Sequence, residues 1–171
     1  MIIRFAQEKD ISGILEIFND ALINTTAVYF YKPATYEEQL QWYNHKIEES
    51  YPVFVAQVDD QIVGYASYGS FRSRPAYKYT IESSVYVDQK YRNKGYGKEL
   101  LLTIIEDAQN KGYATMIAGI DSSNGASIAL HIACGFTHVG TIKKAGYKFA
   151  RWLDLSFYQR ELNGPLNPTE D

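Results

Sequence analysis

The segment Tyr91–Lys98, Tyr-Arg-Asn-Lys-Gly-Tyr-Gly-Lys, constrains this chain more than any other. It lies where an alternating, strand-like pattern changes to a helical one. Its two glycines let the backbone turn tightly and approach a ligand closely. The helix that follows offers unpaired N–H groups and a positive dipole end to an anion. With Arg92, Lys94 and Lys98 adding positive charge, the segment predicts a phosphate-binding loop.

Two other glycine-rich phosphate motifs do not fit this segment. A P-loop has Ser or Thr after its lysine, whereas Lys98 is followed by Glu99. A dinucleotide-binding fingerprint has a third glycine where this chain has Leu100. The remaining pattern, Arg-x-x-Gly-x-Gly at a helix start, resembles the loop by which GNAT acetyltransferases hold the pyrophosphate of acetyl-coenzyme A. A flexible turn with solvated charges is the alternative for the motif taken alone.

Length and composition exclude several classes of protein. A chain of 171 residues suits one domain with a substantial core. The net charge of −3 argues against a general nucleic-acid binder. We expect no membrane span and no signal peptide, because no apolar run is long enough and the first residues lack the pattern. The single Cys134 excludes an internal disulfide and favours a cytoplasmic location, and the three histidines show no metal-ligand spacing.

The hydrophobic periodicity predicts a mixed α/β domain over residues 1–163, with 164–171 as a flexible tail. The expected order is strand, two helices, three strands, helix, strand, helix and two strands. Asp10 and Asn124 are predicted helix caps, and Thr35 with Glu38 a capping box. Strands are expected at 2–6, 53–58, 62–68, 77–87, 115–120, 138–144 and 149–158, and the later two helices at 98–111 and 125–134.

Further segments carry a closer family resemblance. They are Tyr65–Gly69, Thr80–Val87 (Thr-Ile-Glu-Ser-Ser-Val-Tyr-Val), Asn124–Phe136 and Ala145–Asp154. Together with the glycine loop they resemble the phosphinothricin N-acetyltransferase group of GNAT enzymes, which includes enzymes acting on methionine sulfoximine and methionine sulfone. The resemblance runs from about Ile3 to Leu162. It implies the GNAT fold, a mostly antiparallel mixed sheet flanked by about four helices, and a homodimer paired through the final strand pattern, Lys148 to Tyr158. An aromatic-rich edge strand buried within one subunit is the alternative for that segment.

The resemblance also implies which residues bind acetyl-CoA as a cosubstrate. The strand before the loop presents backbone groups to the pantetheine arm and the thioester, the loop takes the pyrophosphate, and the next strand–helix junction contacts the pantetheine. The residues at these positions are Val85, Tyr86, Val87, Arg92, Asn93, Lys94, Gly95, Tyr96, Gly97, Lys98, Asn124 and Ser127. A helix cap alone is the alternative role for Asn124.

Glu82 is the predicted general base. It interrupts an apolar strand, where a carboxylate is unfavourable without a partner or a function. A substrate ammonium must lose a proton before it attacks a thioester, and a carboxylate with a raised pKa can accept that proton. The resembling family has its proposed base at this position. A strand-edge glutamate facing solvent is the structural alternative.

His131 is the second catalytic candidate. Many GNAT enzymes have at this helix position a tyrosine thought to protonate the departing thiolate, whereas the phosphinothricin group has histidine. The alternatives are a packed or substrate-lining histidine, with Tyr86 or Tyr96 as the acid.

Four residues are predicted on the substrate side. Arg72 and Arg74 lie on the loop before the Glu82 strand, and arginine is suited to a bidentate grip on the carboxylate of an amino acid. Lys148 and Arg151 are the next candidates for that grip. Tyr29 and Phe30 resemble substrate-side residues of the family, with core packing as the alternative.

The sequence therefore predicts an N-acetyltransferase that moves the acetyl group of acetyl-CoA to the α-amine of a small amino-acid-like substrate by direct attack. Phosphinothricin, methionine sulfoximine and methionine sulfone are the expected substrates, which implies a role in antibiotic or herbicide resistance. Acetylation of a polyamine or aminoglycoside is one alternative, which the two arginines disfavour. A non-catalytic CoA-binding module is the other, which the presence of Glu82 disfavours.

Overall fold

A computed structural model describes residues 1–170; Asp171, the end of the predicted tail, lies outside the described residues. The described chain forms a seven-stranded sheet in the order β1-β2-β3-β4-β5-β7-β6, in which all neighbours are antiparallel except β4 and β5. This confirms the mixed, mostly antiparallel α/β fold. The strands and helices are β1 (Ile2–Phe5), α1 (Ile11–Asn24), α2 (Tyr36–Glu48), β2 (Val53–Val58), β3 (Gln61–Ser70), β4 (Thr80–Val87), α3 (Tyr96–Asn110), β5 (Thr115–Asp121), α4 (Gly125–Ala133), β6 (Thr137–Lys148) and β7 (Arg151–Glu161).

Two of the three predicted helix caps are confirmed. Thr35 and Glu38 exchange side-chain and backbone hydrogen bonds at the start of α2, and Asn124 Oδ1 accepts from Ser127 N at 3.1 Å at the start of α4. Asp10 occupies the N-cap position of α1 as predicted, but its side chain makes no capping hydrogen bond to that helix. Its buried carboxylate pairs with Arg4 at 2.7 Å and accepts from Gln7 N, because a buried charge needs an opposite charge more than a helix needs a cap.

Some predicted strand limits were also wrong. The strand expected from Tyr77 begins at Thr80, because Pro75–Tyr77 forms a 3-10 turn with proline in its first position. The strand expected over 138–144 extends to Lys148, and the last strand begins at Arg151 rather than Phe149. Phe149 and Ala150 instead form a two-residue hairpin turn in which both have positive φ, 51° and 57°.

The sheet is covered on both faces by helices. On one face, α1 places Ile11, Ile14 and Ile17 against Val55 and Tyr65 of β2 and β3. On the other face, α3 packs Leu100, Leu101, Ile104 and Ile105 against a larger cluster that includes Ala66 and Tyr68. Successive residues of β2 and β3 thus face opposite apolar layers, which explains their nearly continuous hydrophobic sequence.

The sheet opens at its centre. The parallel pair β4 and β5 aligns Thr80 with Thr115 and continues only to Glu82 and Ile117. Beyond this point β4 stays paired with β3 as far as Val87, and β5 stays paired with β7 as far as Asp121. The two strands therefore diverge after Glu82, and one edge of each has backbone groups free to meet a ligand.

None of the helices within residues 1–170 combines the length and apolar character needed to cross a bilayer. After β7, Gly164 N donates to Tyr113 O and Thr169 N donates to the Tyr79 hydroxyl, both at 3.1 Å. The flexibility of the tail stays a prediction.

Candidate active site

A cavity of about 310 Å³ occupies the opening between β4 and β5. One wall is β4 from Glu82 to Tyr86, and the opposite wall is β5 from Ala118 to Asp121. The segment 26–30 closes one side, and Asn124, Ser127 and His131 of α4 and its cap close the other. Its volume suits a small molecule or the reactive end of a larger one.

Glu82 is the half-buried carboxylate of this cavity. It is the last β4 residue paired with β5, and its Oε1 lies across β5 against Gly119. Burial raises the pKa of Glu82 above its ordinary value, and the positive charge of Arg72 opposes that rise. Where the strands diverge, Glu82 therefore lies beside open space. Its carboxyl group holds its proton more tightly than a carboxyl group in water does. This arrangement is suited to accepting a proton from a bound amine.

His131 lies on the same cavity and is 6% exposed. Its Nδ1 is 2.8 Å from the carbonyl oxygen of Ser127, one helical turn earlier. Because a carbonyl only accepts, Nδ1 carries the proton, and Nε2 of the neutral ring is an acceptor. Burial lowers the pKa of His131, and the bond to Ser127 opposes that change. The ring is therefore poorly suited to donate a proton near neutral pH.

Of the two alternative acids, only Tyr86 lines the cavity in the described part of the chain. Its ring packs against Tyr65 and Phe18, at centroid distances of 5.1 and 6.2 Å. Burial raises the pKa of Tyr86 to about 12, so its hydroxyl stays protonated at neutral pH. Tyr96 instead stacks on Tyr91, outside the cavity wall.

The glycine loop leads into α3 as predicted, although the helix begins at Tyr96 rather than Lys98. Gly95 caps the helix with φ 84°, a backbone conformation that a side chain would strain. Asn93 also has positive φ, 61°. These turns leave the N–H groups at the start of α3 outside the helix's own hydrogen bonds. Arg92, Asn93, Lys94 and Lys98 are exposed around them, so the loop fits a pyrophosphate.

The remaining predicted cofactor positions surround the opening. Val85 and Tyr86 line the cavity, and Val87 ends the strand beside the loop, where its carbonyl accepts from Arg92 Nε at 3.1 Å. Asn124 and Ser127 line the opposite side while also capping α4. The opening, its unpaired β4 edge and the anion-binding loop form one path, which fits the thioester arm and the pyrophosphate of a CoA molecule.

The two predicted carboxylate-binding arginines lie outside the cavity wall. Arg72 has its guanidinium 5.0 Å from the Phe71 ring and is close enough to Glu82 to lower that residue's pKa. Arg74 immediately precedes the 3-10 turn at Pro75 and is exposed. Arg72 is therefore the arginine placed nearer the reacting end of the cavity.

Tyr29 and Phe30 lie on the cavity wall and are 41% and 66% exposed, so core packing does not account for them. Phe30 meets Phe18 edge to face at 6.4 Å. The two rings give one side of the cavity an aromatic surface.

Asp121 lines the cavity without having been predicted. It is 3% exposed, and it accepts hydrogen bonds from Thr26 Oγ1 at 2.5 Å and from the Ser123 hydroxyl at 2.7 Å. Arg151 Nη2 lies 3.5 Å away. An acidic residue at the end of a strand, three residues before the predicted cap Asn124, was the signal available in the sequence.

Lys148, an alternative for the carboxylate grip, is excluded from that role. Its ammonium has three N–H groups, and all three donate to backbone carbonyls, those of Leu22, Thr25 and Val28. Arg151 is turned toward Asp121 and Ser123.

The comparison with known proteins identifies the family. Residues 3–156 match the acetyltransferase (GNAT) domain. The chain belongs to the GNAT acetyltransferase family. This GNAT acetyltransferase is 41% identical over 168 residues to the L-methionine sulfoximine/L-methionine sulfone acetyltransferase of Salmonella typhimurium, covering 98% of each protein.

Two solved structures resemble this GNAT acetyltransferase over nearly the whole chain. An acetyltransferase of Salmonella typhimurium with its cofactor acetyl-CoA has a TM-score of 0.95 at 40% identity, covering 99% of this chain and 98% of that one. A phosphinothricin acetyltransferase of Sinorhizobium meliloti in complex with acetyl-CoA has a TM-score of 0.95 at 36% identity, covering 99% and 93%. The predicted family and fold are confirmed.

Among residues 1–170 no group of three or more His, Cys, Asp and Glu side chains is arranged to hold a metal ion.

Proposed function

We propose that this enzyme transfers the acetyl group of acetyl-CoA to the α-amine of a small amino-acid-like substrate of the phosphinothricin, methionine sulfoximine or methionine sulfone type. The names of the relatives support this substrate class. The structural observation that carries the proposal is the Glu82 carboxylate, half-buried at the point where β4 and β5 separate and influenced by Arg72. A carboxylate at one end of the cavity, with an arginine near it outside the cavity wall, suits the ammonium and carboxylate of an amino acid.

Acetyl-CoA, when bound, supplies an acetyl group activated as a thioester. We assign its pyrophosphate to the Arg92–Lys98 loop and the start of α3, and its pantetheine arm to the free edge of β4 beyond Glu82. Backbone N–H groups on that edge are fixed by the pairing of β4 with β3. Such preorganised donors polarise a carbonyl without reorganising during the reaction.

Glu82 accepts the proton that the substrate ammonium must lose, directly or through water. The freed amine lone pair forms the N–C bond, the C–S bond breaks, and the electron pair leaves on sulfur. Direct attack of the amine needs no covalent enzyme intermediate. Consistent with this, Cys134 is buried against the core, and burial raises the pKa of its thiol.

The departing thiolate needs a proton, and we assign its donor to Tyr86 in preference to His131. A phenol with its pKa raised to about 12 carries a proton at neutral pH, whereas the neutral His131 ring has its only N–H directed to Ser127. We assign His131 to lining the cavity. Arg72, or failing it Arg74, is the proposed carboxylate ligand, and Tyr29 and Phe30 contact the substrate side chain.

We also infer that residues 1–163 form the catalytic domain and that two copies associate. The predicted pairing segment, Lys148–Tyr158, lies mostly in β7, which is inside the sheet, so we assign the association to β6. This strand forms one edge of the sheet, and Val139, Ile142 and Tyr147 on it are about half exposed, as is Trp152 of β7. Unpaired edges with apolar side chains are sites of strand pairing between chains. We also propose a cytoplasmic location, which the single Cys134 favours.

A thiol-release assay with acetyl-CoA tests the proposed function. Methionine sulfone, methionine sulfoximine and phosphinothricin are compared with spermidine, an aminoglycoside and ordinary amino acids. We expect the highest kcat/KM among the first three. A preference for the polycations would overturn the substrate class, and tight acetyl-CoA binding without turnover on any amine would favour the CoA-binding module.

A further inference from the structure

The cavity depends on a segment that has no regular secondary structure of its own. Residues 25–31, here called the acceptor loop, connect the end of α1 to the chain leading into α2. The loop carries Tyr29 and Phe30, the aromatic side of the cavity. Because a loop without a helical or strand ladder has few hydrogen bonds within itself, contacts from elsewhere must fix its position.

The strongest of these contacts come from Lys148 at the end of β6. Its Nζ donates to Leu22 O at 2.6 Å, to Thr25 O at 3.0 Å and to Val28 O at 2.7 Å. The first carbonyl lies in the last turn of α1, where the helix has unpaired carbonyls and a negative dipole end. The ammonium therefore joins the end of the helix to the acceptor loop. It is 7% exposed, and burial lowers the pKa of Lys148.

Three other contacts hold the acceptor loop against β5 and β6. Thr26 Oγ1 donates to Asp121 at the end of β5, and the Tyr31 hydroxyl donates to Tyr147 O at 2.8 Å. The Tyr29 ring lies directly on Gly146, where a β-carbon would be only 2.9 Å from Cε2. Residues 146–148 of β6 thus contact the loop at three successive positions.

The backbone that carries Lys148 is itself held in place by the β6–β7 hairpin. Lys148 pairs with Arg151 across the two-residue turn of Phe149 and Ala150, and Nζ lies 5.0 Å from the Phe149 ring. The positive φ angles of both turn residues define a tight hairpin end. The direction of the lysine side chain is therefore set by the hairpin, independently of the loop.

We propose that Lys148 is a positioning residue for the acceptor substrate: it fixes the acceptor loop, and through it Tyr29 and Phe30, on the acceptor side of the cavity, and it takes no part in binding acetyl-CoA. The inference rests on the proposed function only in naming that side of the cavity as the amine side. The loop and the Arg92–Lys98 segment are separate parts of the chain. Loss of the three Lys148 hydrogen bonds should therefore change KM for the acceptor amine and leave acetyl-CoA affinity unchanged.

The test variant is Lys148→Met, which keeps the length of the side chain and removes its three donors. We expect KM for methionine sulfone to rise about tenfold, with acetyl-CoA affinity measured by calorimetry within about twofold of the wild type. Hydrogen–deuterium exchange should show faster exchange in residues 25–31. Lys143→Met is the matched control, since Lys143 lies on the same strand, is 77% exposed and pairs with Asp154.

Gly146→Ala keeps the proposal testable if Lys148→Met does not fold. The added methyl group must displace the Tyr29 ring, and the position has no positive φ that would strain the backbone. It should also raise the acceptor KM and leave acetyl-CoA affinity unchanged.

An unchanged acceptor KM in a folded Lys148→Met enzyme, or in Gly146→Ala where the first does not fold, would overturn the proposal. So would a parallel loss of acetyl-CoA affinity, which marks a general structural defect. Wild-type enzyme that acetylates only a different amine would overturn the proposed substrate class alone. The same comparison of variants would then be made with that amine.

Discussion

The Glu82 carboxylate and Gly119 lie against each other across the opening between β4 and β5. A β-carbon at position 119 would be 3.1 Å from Glu82 Oε1, and 3.3 Å from Leu155 Cδ1 on its other side. The absence of a side chain at Gly119 therefore gives the carboxylate room to lie across β5. We propose that this space is a second requirement for the proposed base, besides the glutamate itself.

Gly119→Ala should impair the chemical step while leaving the fold intact. The methyl group must push the carboxylate by a few tenths of an ångström, and general-base catalysis is sensitive to such displacement. We expect kcat to fall roughly five- to tenfold. Gly140→Ala is the control, since a β-carbon there meets no atom of residues 1–170 within 4 Å. Equal rates in the two variants would show that the position of Glu82 is not limiting.

Glu82→Gln tests the base directly. The amide keeps the shape and cannot accept the proton, so turnover should fall on the order of 10²-fold or more with acetyl-CoA affinity preserved. In the wild type the rate should rise with pH through the raised pKa of Glu82, because the base works when deprotonated. Turnover near the wild-type value, with the same pH limb still present, would give Glu82 a structural role.

The same substitution should stabilise the protein at neutral pH. A carboxyl whose pKa is raised by folding binds its proton more tightly in the folded state, so its contribution to stability is present at low pH. That contribution is lost as pH rises from the unfolded-state pKa through the raised one. Thermal unfolding of Glu82→Gln should therefore show a higher Tm than the wild type at pH 7 and a smaller difference near pH 4. A lower Tm at pH 7 would contradict this.

Several elements of the fold were predictable from local sequence, because they have local causes. The Thr35–Glu38 capping box and the Asn124 cap depend on residues three apart, and the glycine loop depends on a strand-to-helix change. The turn at Phe149 and Ala150 could not be predicted in this way, because it lacks the glycine or asparagine that usually marks two positive φ angles.

The features that were missed depend on residues far apart in the chain. Asp121 meets Thr26 across 95 positions, and Lys148 meets Val28 across 120. Nothing within a local window indicates that Lys148 is buried or that its donors are used by a loop. Asp10 is a different case, because its carboxylate pairs with Arg4, only six residues earlier on β1, rather than with the start of α1.

Arg92→Ala should weaken acetyl-CoA binding more than it alters stability. Arg92 is exposed, and its ion pair with Asp20 is long at 3.9 Å. It is a cleaner test than Gly97→Val, because a β-carbon at 97 already lies 3.4 Å from Leu130 and a larger side chain would disturb packing. We expect about a tenfold loss of affinity by calorimetry. The exposed Lys90→Ala serves as control, and unchanged affinity in Arg92→Ala would remove Arg92 from the phosphate site.

Ile142→Lys tests the proposed dimer. Ile142 is 50% exposed on the edge strand β6, and a lysine there opposes apolar strand pairing between copies. Sedimentation should show a dimer for the wild type and a shift to monomer for the variant. Ile47→Lys, 54% exposed on α2, is the matched control. A wild-type monomer at micromolar concentration would contradict the proposed association.

Arg72→Ala combines the tests of substrate recognition and of the base. If Arg72 binds the α-carboxylate, the wild type should acetylate an amino acid one to two decades better in kcat/KM than its amide, and the variant should lose that preference by losing activity on the acid alone. Removing the positive charge also removes the effect that lowers the pKa of Glu82, so the rising limb of the pH–rate profile should move to higher pH. Arg74→Ala is the control, since Arg74 lies on the same loop.

If the rising limb of the pH–rate profile moves while the preference for the acid over the amide is kept, Arg72 tunes the pKa of Glu82 and the substrate carboxylate is bound elsewhere. Arg74 is then the next residue to examine. Should neither quantity change, Arg72 is a solvated loop arginine.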